Sequence, residues 1–345
     1  MPNIVLIGGS AGSIDALKVI LSGLPKDFPA AVLVVVHIGA RESVLPRLLE
    51  RCSALPVRHA LQGDPILPGH VLVAPPDLHL TLARDGDKTY ARLSCGPKEN
   101  HSRPAIDPLF RSAATLYGAG AIAVVLSGFL DDGTVGLQAI KACGGIAVAQ
   151  DPQDAEVPEM PGSAIEHTAI DVVCPAAGIA AALVELAARA APLPLAVELE
   201  SAAGELQDRF AIENRMFDGD ADMTEMDLLG SKVGMTCPEC GGAIWEMRHS
   251  RPLRYRCHTG HAFTAKVLES LQRSEVEESL WAAVRALHEQ EQLFRQMYHK
   301  LHTLRTVPPG TDDPVDEYLS KAERAAEHAQ LLRDLIANRI RIGHV

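Results

Sequence analysis

The sequence predicts an α/β protein built around a doubly wound, mostly parallel sheet with the three layers of a Rossmann-like fold. Across residues 1–190, short apolar runs alternate with segments of helical periodicity, an order typical of this class. The apolar runs are continuous and rich in β-branched residues, as expected for strands covered by helices on both faces. Later in the chain, a group of cysteines and histidines predicts a small module, followed by a helical hairpin.

Each element of the predicted α/β domain follows from one of these runs. We expect strands at Asn3–Ile7, Ala31–Val36, His70–Ala74, Ala121–Leu126, Ile146–Ala149 and Asp171–Cys174. We expect helices at Ser13–Leu24, Glu42–Cys52, Asp107–Tyr117, Val135–Ala142 and Ala177–Ala190. The stretch His79–Ser94 places Asp85-Gly86-Asp87 between two alternating runs, which predicts an antiparallel hairpin at a sheet edge.

Changes in composition divide the chain into four parts. Residues 1–190 form the α/β domain, and residues 191–234 form an acidic linker with a helix at Ser201–Met216. Residues 235–264 hold the cysteine and histidine module. Residues 265–345 are helical in composition and are broken at Val307-Pro308-Pro309-Gly310, which predicts a helical hairpin.

Composition excludes several classes of protein. Of the 345 residues, 47% are hydrophobic, enough for a substantial core and two or three domains. The net charge of −12 argues against nonspecific nucleic-acid binding, which needs a basic surface. The apolar runs have the length of strands, so we expect no direct membrane insertion. Seven cysteines, an odd number, and the absence of a leader-like segment predict a reduced, cytoplasmic protein.

The first predicted strand ends in a turn that carries a candidate nucleophile. The apolar run Ile4–Ile7 leads into Gly8-Gly9-Ser10-Ala11-Gly12, and helical periodicity starts at Ser13. Small residues on both sides of Ser10 let the chain turn sharply and leave the hydroxyl exposed, as in a nucleophile elbow. Two other interpretations stay open at this point: a glycine-rich phosphate loop, and a serine that only caps the helix.

Polar groups also follow two other strands of the predicted sheet. His37 comes directly after the second strand, and Asp131 and Asp132 lie in the loop after Ala121–Leu126. Ligands of a doubly wound sheet collect beyond the carboxyl ends of its strands, so we expect these groups to lie near Ser10. A serine, a histidine and an acid are the components of a hydrolytic triad. Their coincidence favours the nucleophile, although each residue alone also fits a structural role.

These segments resemble the catalytic domain of the CheB-type protein-glutamate methylesterases of chemotaxis, over about residues 1–185. Ile7-Gly8-Gly9-Ser10-Ala11-Gly12 matches the family's Ile-Gly-x-Ser-x-Gly turn, and Val36-His37-Ile38 matches its strand-ending histidine. Leu126–Gly133 matches the segment that ends in Asp-Gly, with Asp132 in the position of the family's aspartate. Further matches are Ala74–His79, Arg103–Ala113, Ala149–Pro152 and Met160-Pro161.

The resemblance implies hydrolysis of glutamate γ-methyl esters on methyl-accepting chemoreceptors, with release of methanol, and in many members deamidation of receptor glutamines. It assigns the nucleophile to Ser10, the proton-transferring base to His37 and the orienting acid to Asp132. Backbone N–H groups of Ala11, at the start of the first helix, and of Phe129, before the aspartate, are expected to bind the oxyanion. The resemblance implies no cofactor for catalysis, and other chemosensory signalling proteins are further expected partners.

Three departures from the family pattern bear on function. Ala11 stands where the family usually has threonine, which removes a hydroxyl near the substrate or the histidine. Asp131 stands where asparagine is usual, and a second carboxylate there is expected to raise the pKa of Asp132. The first strand begins at residue 3, so we expect no receiver domain in front of the catalytic domain. His101 and Arg103 are candidates for contacting an acidic receptor surface, with a structural role as the alternative.

The spacing of the late cysteines predicts a structural zinc site. Cys237-x2-Cys240-x16-Cys257-x3-His261 supplies a tetrahedral set of four protein ligands. A segment of about 30 residues has too little core to fold alone, and a bound metal would make up for this. A redox Cys-x-x-Cys is the alternative, but it is typical of a βαβ context that this segment lacks. His258 is the other candidate for the fourth ligand, although adjacent ligands would be strained on one ion.

The sequence therefore favours a serine hydrolase, a receptor methylesterase domain with a zinc-binding and helical tail. The alternative from another class is a catalytically weakened adaptor that binds chemosensory proteins, which the residues Ala11 and Asp131 suggest. A dinucleotide-binding enzyme is disfavoured because the turn lacks a full Gly-x-Gly-x-x-Gly and because His37, not an acid, follows the second strand.

Overall fold

The computed structural model describes residues 3–188, 201–218, 223–303 and 316–342. Chain contacts divide it into two compact units, Met1–Leu268 and Glu269–Val345. In its described part, the first unit contains sheets of seven, four and two strands, and the second unit is helical. Among the described residues, no helix is both long enough and apolar enough to cross a bilayer.

The elements are numbered in chain order. The strands are β1 (Ile4–Gly9), β2 (Ala31–Val36), β3 (Val57–His59), β4 (Val71–Val73), β5 (His79–Asp85), β6 (Lys88–Ser94), β7 (Ala121–Val125), β8 (Ile146–Gln150), β9 (Val172–Cys174), β10 (Gly230–Thr236), β11 (Ala243–Met247), β12 (Arg254–Cys257) and β13 (Ala262–Thr264). The helices are α1 (Ser13–Ser22), α2 (Leu45–Glu50), α3 (Ile106–Tyr117), α4 (Thr134–Ala142), α5 (Glu159–His167), α6 (Ala176–Ala188), α7 (Ser201–Asp218), α8 (Met223–Leu229), α9 (Ala265–Thr303) and α10 (Asp316–Ile342).

The large sheet has the strand order β3-β4-β2-β1-β7-β8-β9, and every pairing in it is parallel. Helices cover both of its faces, so the predicted class, a doubly wound α/β fold with three layers, is confirmed. The chain runs outward from β1 on one side of the sheet and later returns to β7 on the other side of β1. This reversal is a topological switch point, the place where ligands of such sheets bind.

Alternate residues of β1 face two different hydrophobic cores. Val5 and Ile7 pack into the core formed with α1 and α6, whereas Ile4 and Leu6 pack into the core formed with α3 and α4. All four side chains are fully buried. Because both faces of the strand are covered, its sequence is continuously apolar instead of alternating.

Within residues 1–190, the sequence-based prediction omits one strand and one α-helix and misplaces one hairpin. The prediction omits β3, a three-residue strand with an exposed arginine, and α5, whose Pro161 and Gly162 are poor helix formers. The hairpin β5–β6 forms in full register, but the predicted placement at a sheet edge is wrong. It is a separate two-stranded sheet, because Leu80 and Leu82 of β5 pack into the core formed with α3.

The acidic segment contains α7, where the sequence predicts a helix at Ser201–Met216. Residues 189–200 and 219–222 lie outside the described residues, so the predicted four-part division of the chain stays a prediction. The contacts place α7 and the segment that carries the cysteines in the same compact unit as the α/β domain.

The segment of residues 230–264, which we call the Cys/His module, is an antiparallel sheet of order β10-β11-β12-β13. It packs directly on the α/β domain, where Glu99 forms a parallel bridge to Ala262. Glu99 also accepts two hydrogen bonds of 2.7 Å from Arg111 of α3 and one of 2.9 Å from Arg256 of β12. These residues belong to a buried ion cluster. The buried ion cluster consists of Glu99, Arg111, Glu213, Arg254 and Arg256.

The second unit consists of α10 and the part of α9 that begins at Glu269, so the two predicted C-terminal helices are present. They contact each other through the rings of Phe294 and Tyr318, whose centroids are 6.4 Å apart. Arg333 Nη2 of α10 donates a hydrogen bond to His288 Nε2 of α9, at 2.6 Å. The predicted break at residues 307–310 lies outside the described residues.

Replacing Arg111 with methionine is expected to lower the free energy of unfolding by about 3–5 kcal/mol, because Glu99 would lose its bidentate partner in a fully buried site. Chemical denaturation at pH 7 measures this change. The matched control is Arg58→Met, since Arg58 pairs with Asp64 at an exposed position where a salt bridge contributes at most about 1 kcal/mol. Equal losses in the two variants would contradict a structural role for the buried ion cluster.

Candidate active site

The sheet places the three predicted catalytic residues at neighbouring strand ends. β1 lies between β2 and β7, and Gly9 is in register with Val36, so Ser10 and His37 follow paired positions. The His37 N–H donates to Gly9 O at 3.3 Å, and the Ser10 N–H donates to Ser127 O, after β7, at 2.9 Å. Adjacent strands are about 4.8 Å apart, so the loops that follow them share one site at the switch point.

Close packing around Ser10 requires glycine at two positions. Gly12 has a left-handed φ of 75° and is the N-cap residue of α1, so the interpretation of Ser10 as the helix cap is wrong. A Cβ on Gly128 would lie 2.8 Å from Ser10 Cβ and 2.1 Å from Met160 Sδ. The loop after β7 therefore packs directly against the candidate nucleophile.

Asp132 is buried and accepts four hydrogen bonds. His37 Nε2 (2.8 Å) and the Ile106 N–H (2.7 Å) donate to Oδ2, while Asn100 Nδ2 (3.0 Å) and the Asp107 N–H (3.3 Å) donate to Oδ1. The two backbone donors belong to the start of α3, where the helix dipole also favours an anion. Burial alone would raise the pKa of Asp132, but the donors, His37 first, outweigh burial and lower the pKa to about 2.

The ionised carboxylate fixes the tautomer of His37. Because a carboxylate can only accept, the proton of the neutral imidazole lies on Nε2, which faces Asp132. The other ring nitrogen, Nδ1, then carries a lone pair that can take up a proton. The His37 side chain is 18% exposed and that of Asp132 is 3% exposed, so the ring separates the buried acid from solvent. This is the arrangement in which an acid orients a general base.

Two backbone donors next to the candidate nucleophile are free. Among the described residues, the N–H groups of Ala11 and Phe129 donate to no acceptor. The N–H groups on either side of Phe129, those of Gly128 and Leu130, are engaged at 3.0 and 2.9 Å, which holds this loop in place. Since Gly128 packs on Ser10, the free Phe129 N–H lies in a loop that contacts the serine. Fixed donors of this kind suit a developing oxyanion.

A cleft of about 190 Å³ opens beside His37. Both sequence-predicted receptor-contact candidates line it, and each is engaged. Arg103 Nε donates to Asp77 Oδ1 at 2.9 Å, and His101 Nδ1 is hydrogen-bonded to Glu239 of the Cys/His module. Besides His37, three basic side chains line the cleft: Lys98, His101 and Arg103.

Asp131, which precedes the orienting acid, is fully buried. Its Oδ1 accepts a hydrogen bond of 2.6 Å from Thr264 Oγ1, and its Oδ2 has no hydrogen-bond partner among the described residues. Burial raises the pKa of Asp131, and the Thr264 hydroxyl offsets this only in part. Asp131 and Asp132 repel each other as neighbouring carboxylates, but the donors around Asp132 outweigh this effect, so the pKa of Asp132 is lowered.

The atoms of the Cys/His cluster lie at distances that fit one tetrahedral ion. One ligand atom from each of its four residues lies within 4.8 Å of the others. The distance is 3.9 Å between the sulfurs of Cys240 and Cys257, and 3.5 Å between Cys257 Sγ and His261 Nδ1. Zinc bonds of about 2.3 Å to sulfur and about 2.0 Å to nitrogen give tetrahedral edges of about 3.8 and 3.5 Å. His258 lies outside the cluster, with its ring against Gly242. The cluster consists of Cys237, Cys240, Cys257 and His261.

Sequence reasoning missed two residues that surround the orienting acid. Asn100 donates to Asp132 from a loop in which its own φ is 51°. Thr264 reaches Asn100 and Asp131 from the Cys/His module, more than a hundred residues away. Neither residue follows a strand of the large sheet or belongs to a motif. The only signal available for Asn100 is that asparagine tolerates a left-handed backbone.

Comparisons with known proteins place the similarity on the α/β domain. A family model described as CheB methylesterase matches residues 5–183. A Leptospira interrogans protein provisionally named protein-glutamate methylesterase/protein-glutamine glutaminase is 44% identical over 170 residues, or 49% of this chain and 86% of the relative. Protein-glutamate methylesterase/protein-glutamine glutaminase 2 of Xanthomonas oryzae is 38% identical over 187 residues, or 54% of this chain and 52% of the relative. The crystal structure of the Thermotoga maritima CheB methylesterase catalytic domain matches with a TM-score of 0.53 and 38% identity, over 54% of this chain and 99% of that one.

Replacing Asp131 with asparagine is expected to stabilise the protein at neutral pH relative to acid pH. The folded-state pKa of Asp131 is raised above the unfolded value of about 3.9, so stability is lost as the pH rises through this range and the buried carboxyl ionises. Chemical denaturation at pH 4 and pH 8 compares the two proteins. Between pH 4 and pH 8, the free energy of unfolding of the variant should rise by on the order of 1 kcal/mol relative to that of wild type. If the stability of wild type changes between pH 4 and pH 8 by as much as that of the variant, Asp131 is not a buried, partly unpaired charge.

Proposed function

The chain belongs to the CheB methylesterase family, and we propose that it hydrolyses γ-methyl esters of glutamate residues in methyl-accepting chemoreceptors and releases methanol. One observation carries this proposal: the hydrogen bond of 2.8 Å between His37 and the buried Asp132, at the strand end next to Ser10. The names of the relatives include glutaminase, so deamidation of receptor glutamines is part of the proposal. The protein would thereby act in chemosensory adaptation.

In the proposed mechanism, Ser10 Oγ attacks the ester carbonyl carbon while His37 Nδ1 takes up the hydroxyl proton. The backbone N–H groups of Ala11 and Phe129 bind the negative oxygen of the tetrahedral intermediate. The ionised Asp132 stabilises the imidazolium, which returns the proton to the departing methoxide to form methanol. Water then attacks the acyl group on Ser10 by the same route and frees the glutamate. All of the catalytic groups in this mechanism belong to the chain, so it uses no cofactor.

The cleft beside His37 suits an acidic protein substrate. Lys98 and His101 share the carboxylate of Glu239, and Arg103 pairs with Asp77. A receptor segment with carboxylates next to the methylated glutamate would compete for these basic groups. The proposed partners are therefore chemoreceptors together with other chemosensory signalling proteins. Since the modified receptor segments of this family's substrates are cytoplasmic, we propose a cytoplasmic location.

A catalytically weakened adaptor is the second candidate function. Ala11, in the place of a threonine, favours it because a hydroxyl is lost next to the nucleophile. Asp131 does not favour it, since Thr264 engages this carboxyl and Asp132 keeps all four of its donors.

We also propose that the Cys/His cluster binds one structural Zn²⁺. Its three thiols and one imidazole fit zinc in kind and in spacing. The His261 N–H donates to Cys257 Sγ at 3.2 Å, and Thr259 Oγ1 lies 3.0 Å from the same sulfur, contacts that favour a thiolate. Four protein ligands leave no open position on the ion, so it would hold the module together and take no part in hydrolysis.

Replacing Ser10 with alanine is expected to reduce methanol release from a methylated receptor by about 10⁴-fold or more, because the nucleophile is removed. Gas chromatography of the released methanol measures the rate. The control is Ser22→Ala, the same chemical change at an exposed position on α1. Release that persists in Ser10→Ala would refute the assigned nucleophile. A folded wild type that binds receptor and releases no methanol would support the adaptor.

Replacing Cys237 with serine is expected to lower bound zinc from about one ion per chain to a small fraction of that, because a buried ligand is lost. Elemental mass spectrometry of the purified full-length chain gives the metal content. Cys95→Ser is the control, since Cys95 is an exposed cysteine outside the cluster. If both variants carry as much zinc as wild type, the site assignment is wrong.

A further inference from the structure

Asn100 connects the Cys/His module to the acid of the proposed triad. Its Nδ2 donates to Asp132 Oδ1 at 3.0 Å and to Asp107 Oδ2 at 3.1 Å. Its Oδ1 accepts a hydrogen bond of 3.1 Å from the Thr264 N–H, and its own N–H donates to Ala262 O at 2.8 Å. Two of the four contacts thus point into the active site and two into β13 of the module.

From this arrangement we infer that the Cys/His module completes the active site, with Asn100 and Thr264 as positioning residues for Asp132. The inference rests on the proposed function, because it concerns the same triad. The family model covers residues 5–183, so the segment that contributes Thr264 lies outside the part of the chain that defines the family. The module therefore adds a dependence that the α/β domain alone does not have.

The Thr264 N–H and the acceptors of Asp107 and Asp132 together fix which way the Asn100 amide points. The amide could in principle turn over and exchange its oxygen and its NH₂ group. In the observed orientation the oxygen accepts the Thr264 N–H, and the NH₂ group donates to carboxyl oxygens of Asp107 and Asp132. The reverse orientation would place the oxygen against the ionised Asp132 and an NH₂ group against the Thr264 N–H. This contact comes from the backbone of β13, so it depends on where the module docks and not on the side chain at position 264.

A second contact from the same residue holds the chain next to Asp132. Thr264 Oγ1 donates to Asp131 Oδ1 at 2.6 Å and accepts the Val267 N–H at 3.4 Å. Asp131 is the position where the resemblance leads us to expect asparagine. The aspartate that departs from the family pattern is thus the residue to which Thr264 of the module donates a hydrogen bond. Thr264 restrains Asp132 from two directions, through Asn100 and through the preceding residue in the chain.

The loop that carries Asn100 is fixed by the buried ion cluster. Glu99, its neighbour, receives Arg111 from α3 and Arg256 from β12, at 2.7 and 2.9 Å. Burial alone would raise the pKa of Glu99, but the two guanidinium groups outweigh it and lower the pKa to about 2. The position of Asn100 therefore depends on both the α/β domain and the module, since each contributes one arginine.

The test is a double-mutant cycle in the full-length chain with Asn100→Gly, Thr264→Val and the double variant. Glycine accepts the left-handed backbone of position 100 and removes the amide, and valine keeps the shape of threonine without its hydroxyl. Each single change should lower kcat by about 10- to 100-fold, the effect of one hydrogen bond to a charged group, and should leave KM unchanged. Neither residue lines the cleft, so substrate binding should be unaffected.

Thr264→Val removes the hydroxyl that holds Asp131 and keeps the N–H that contacts Asn100. Because both residues restrain the position of the same carboxylate, the loss in the double variant should be smaller than the product of the two single losses. Effects that multiply, or a single variant with the wild-type kcat, would overturn the inference. Rates are expressed per active site titrated with a fluorophosphonate, so a misfolded fraction does not count. Thr264→Ser, which keeps the hydroxyl, should retain more activity than Thr264→Val. Thr81→Val serves as the matched control, since Thr81 is a buried threonine in β5.

A readout without substrate separates this inference from the proposed function. The proton on His37 Nε2 that is shared with Asp132 should give a downfield imidazole resonance in proton NMR. That resonance should shift or broaden in Asn100→Gly and in Thr264→Val and stay in place in Thr81→Val. If wild type releases no methanol while the resonance responds in this way, only the proposed function fails. If wild type releases methanol and the resonance is unchanged in both variants, only the inference fails.

Discussion

The buried carboxylate of Asp132 is the constraint on which the rest of the site depends. A charge in this position is stable only because donors from three separate elements converge on it: the ring of His37, the first turn of α3 and the amide of Asn100. Each donor then has a fixed place. The ring must face inward through Nε2, α3 must begin at Ile106, and the loop of Asn100 must hold its amide against Asp132 Oδ1. The orientation of His37 therefore follows from the need to supply hydrogen bonds to the buried carboxylate of Asp132.

The sequence predicts the parts of this arrangement that follow from strand periodicity. Ser10 and His37 follow the ends of two buried strands, Asp132 lies in the loop after a third, and parallel strands bring such positions to one edge of the sheet. It does not predict β3, since a three-residue strand with an exposed Arg58 has no apolar run, nor Asn100, whose role depends on an irregular loop. The hairpin β5–β6 shows a third limit. Its register follows from residues that are neighbours in the chain, but the surface on which it packs is set by tertiary contacts.

The docking of the Cys/His module on the α/β domain likewise cannot be predicted from the sequence. Cysteine spacing predicts that a compact module exists, because the ligands lie within one short segment. The contacts that attach it to the α/β domain join charged residues such as Glu99 and Arg256, which are read as surface residues in a sequence. Charge pairs between distant segments leave no periodic pattern. Only the folded chain shows that these charges are buried together.

Buried charges fix a docking position more sharply than apolar contacts do. Replacing such a cluster with well-packed apolar residues need not lower stability, but an arginine or glutamate left without its partner in this interface would be strongly destabilising. A module attached only through apolar side chains could shift slightly at small cost, whereas the pairing of Arg256 with both Glu99 and Glu213 is satisfied in one arrangement. Because Asn100 follows Glu99 directly, that arrangement also sets the donor to Asp132. The ion cluster thus transmits the position of the module to the acid that orients His37.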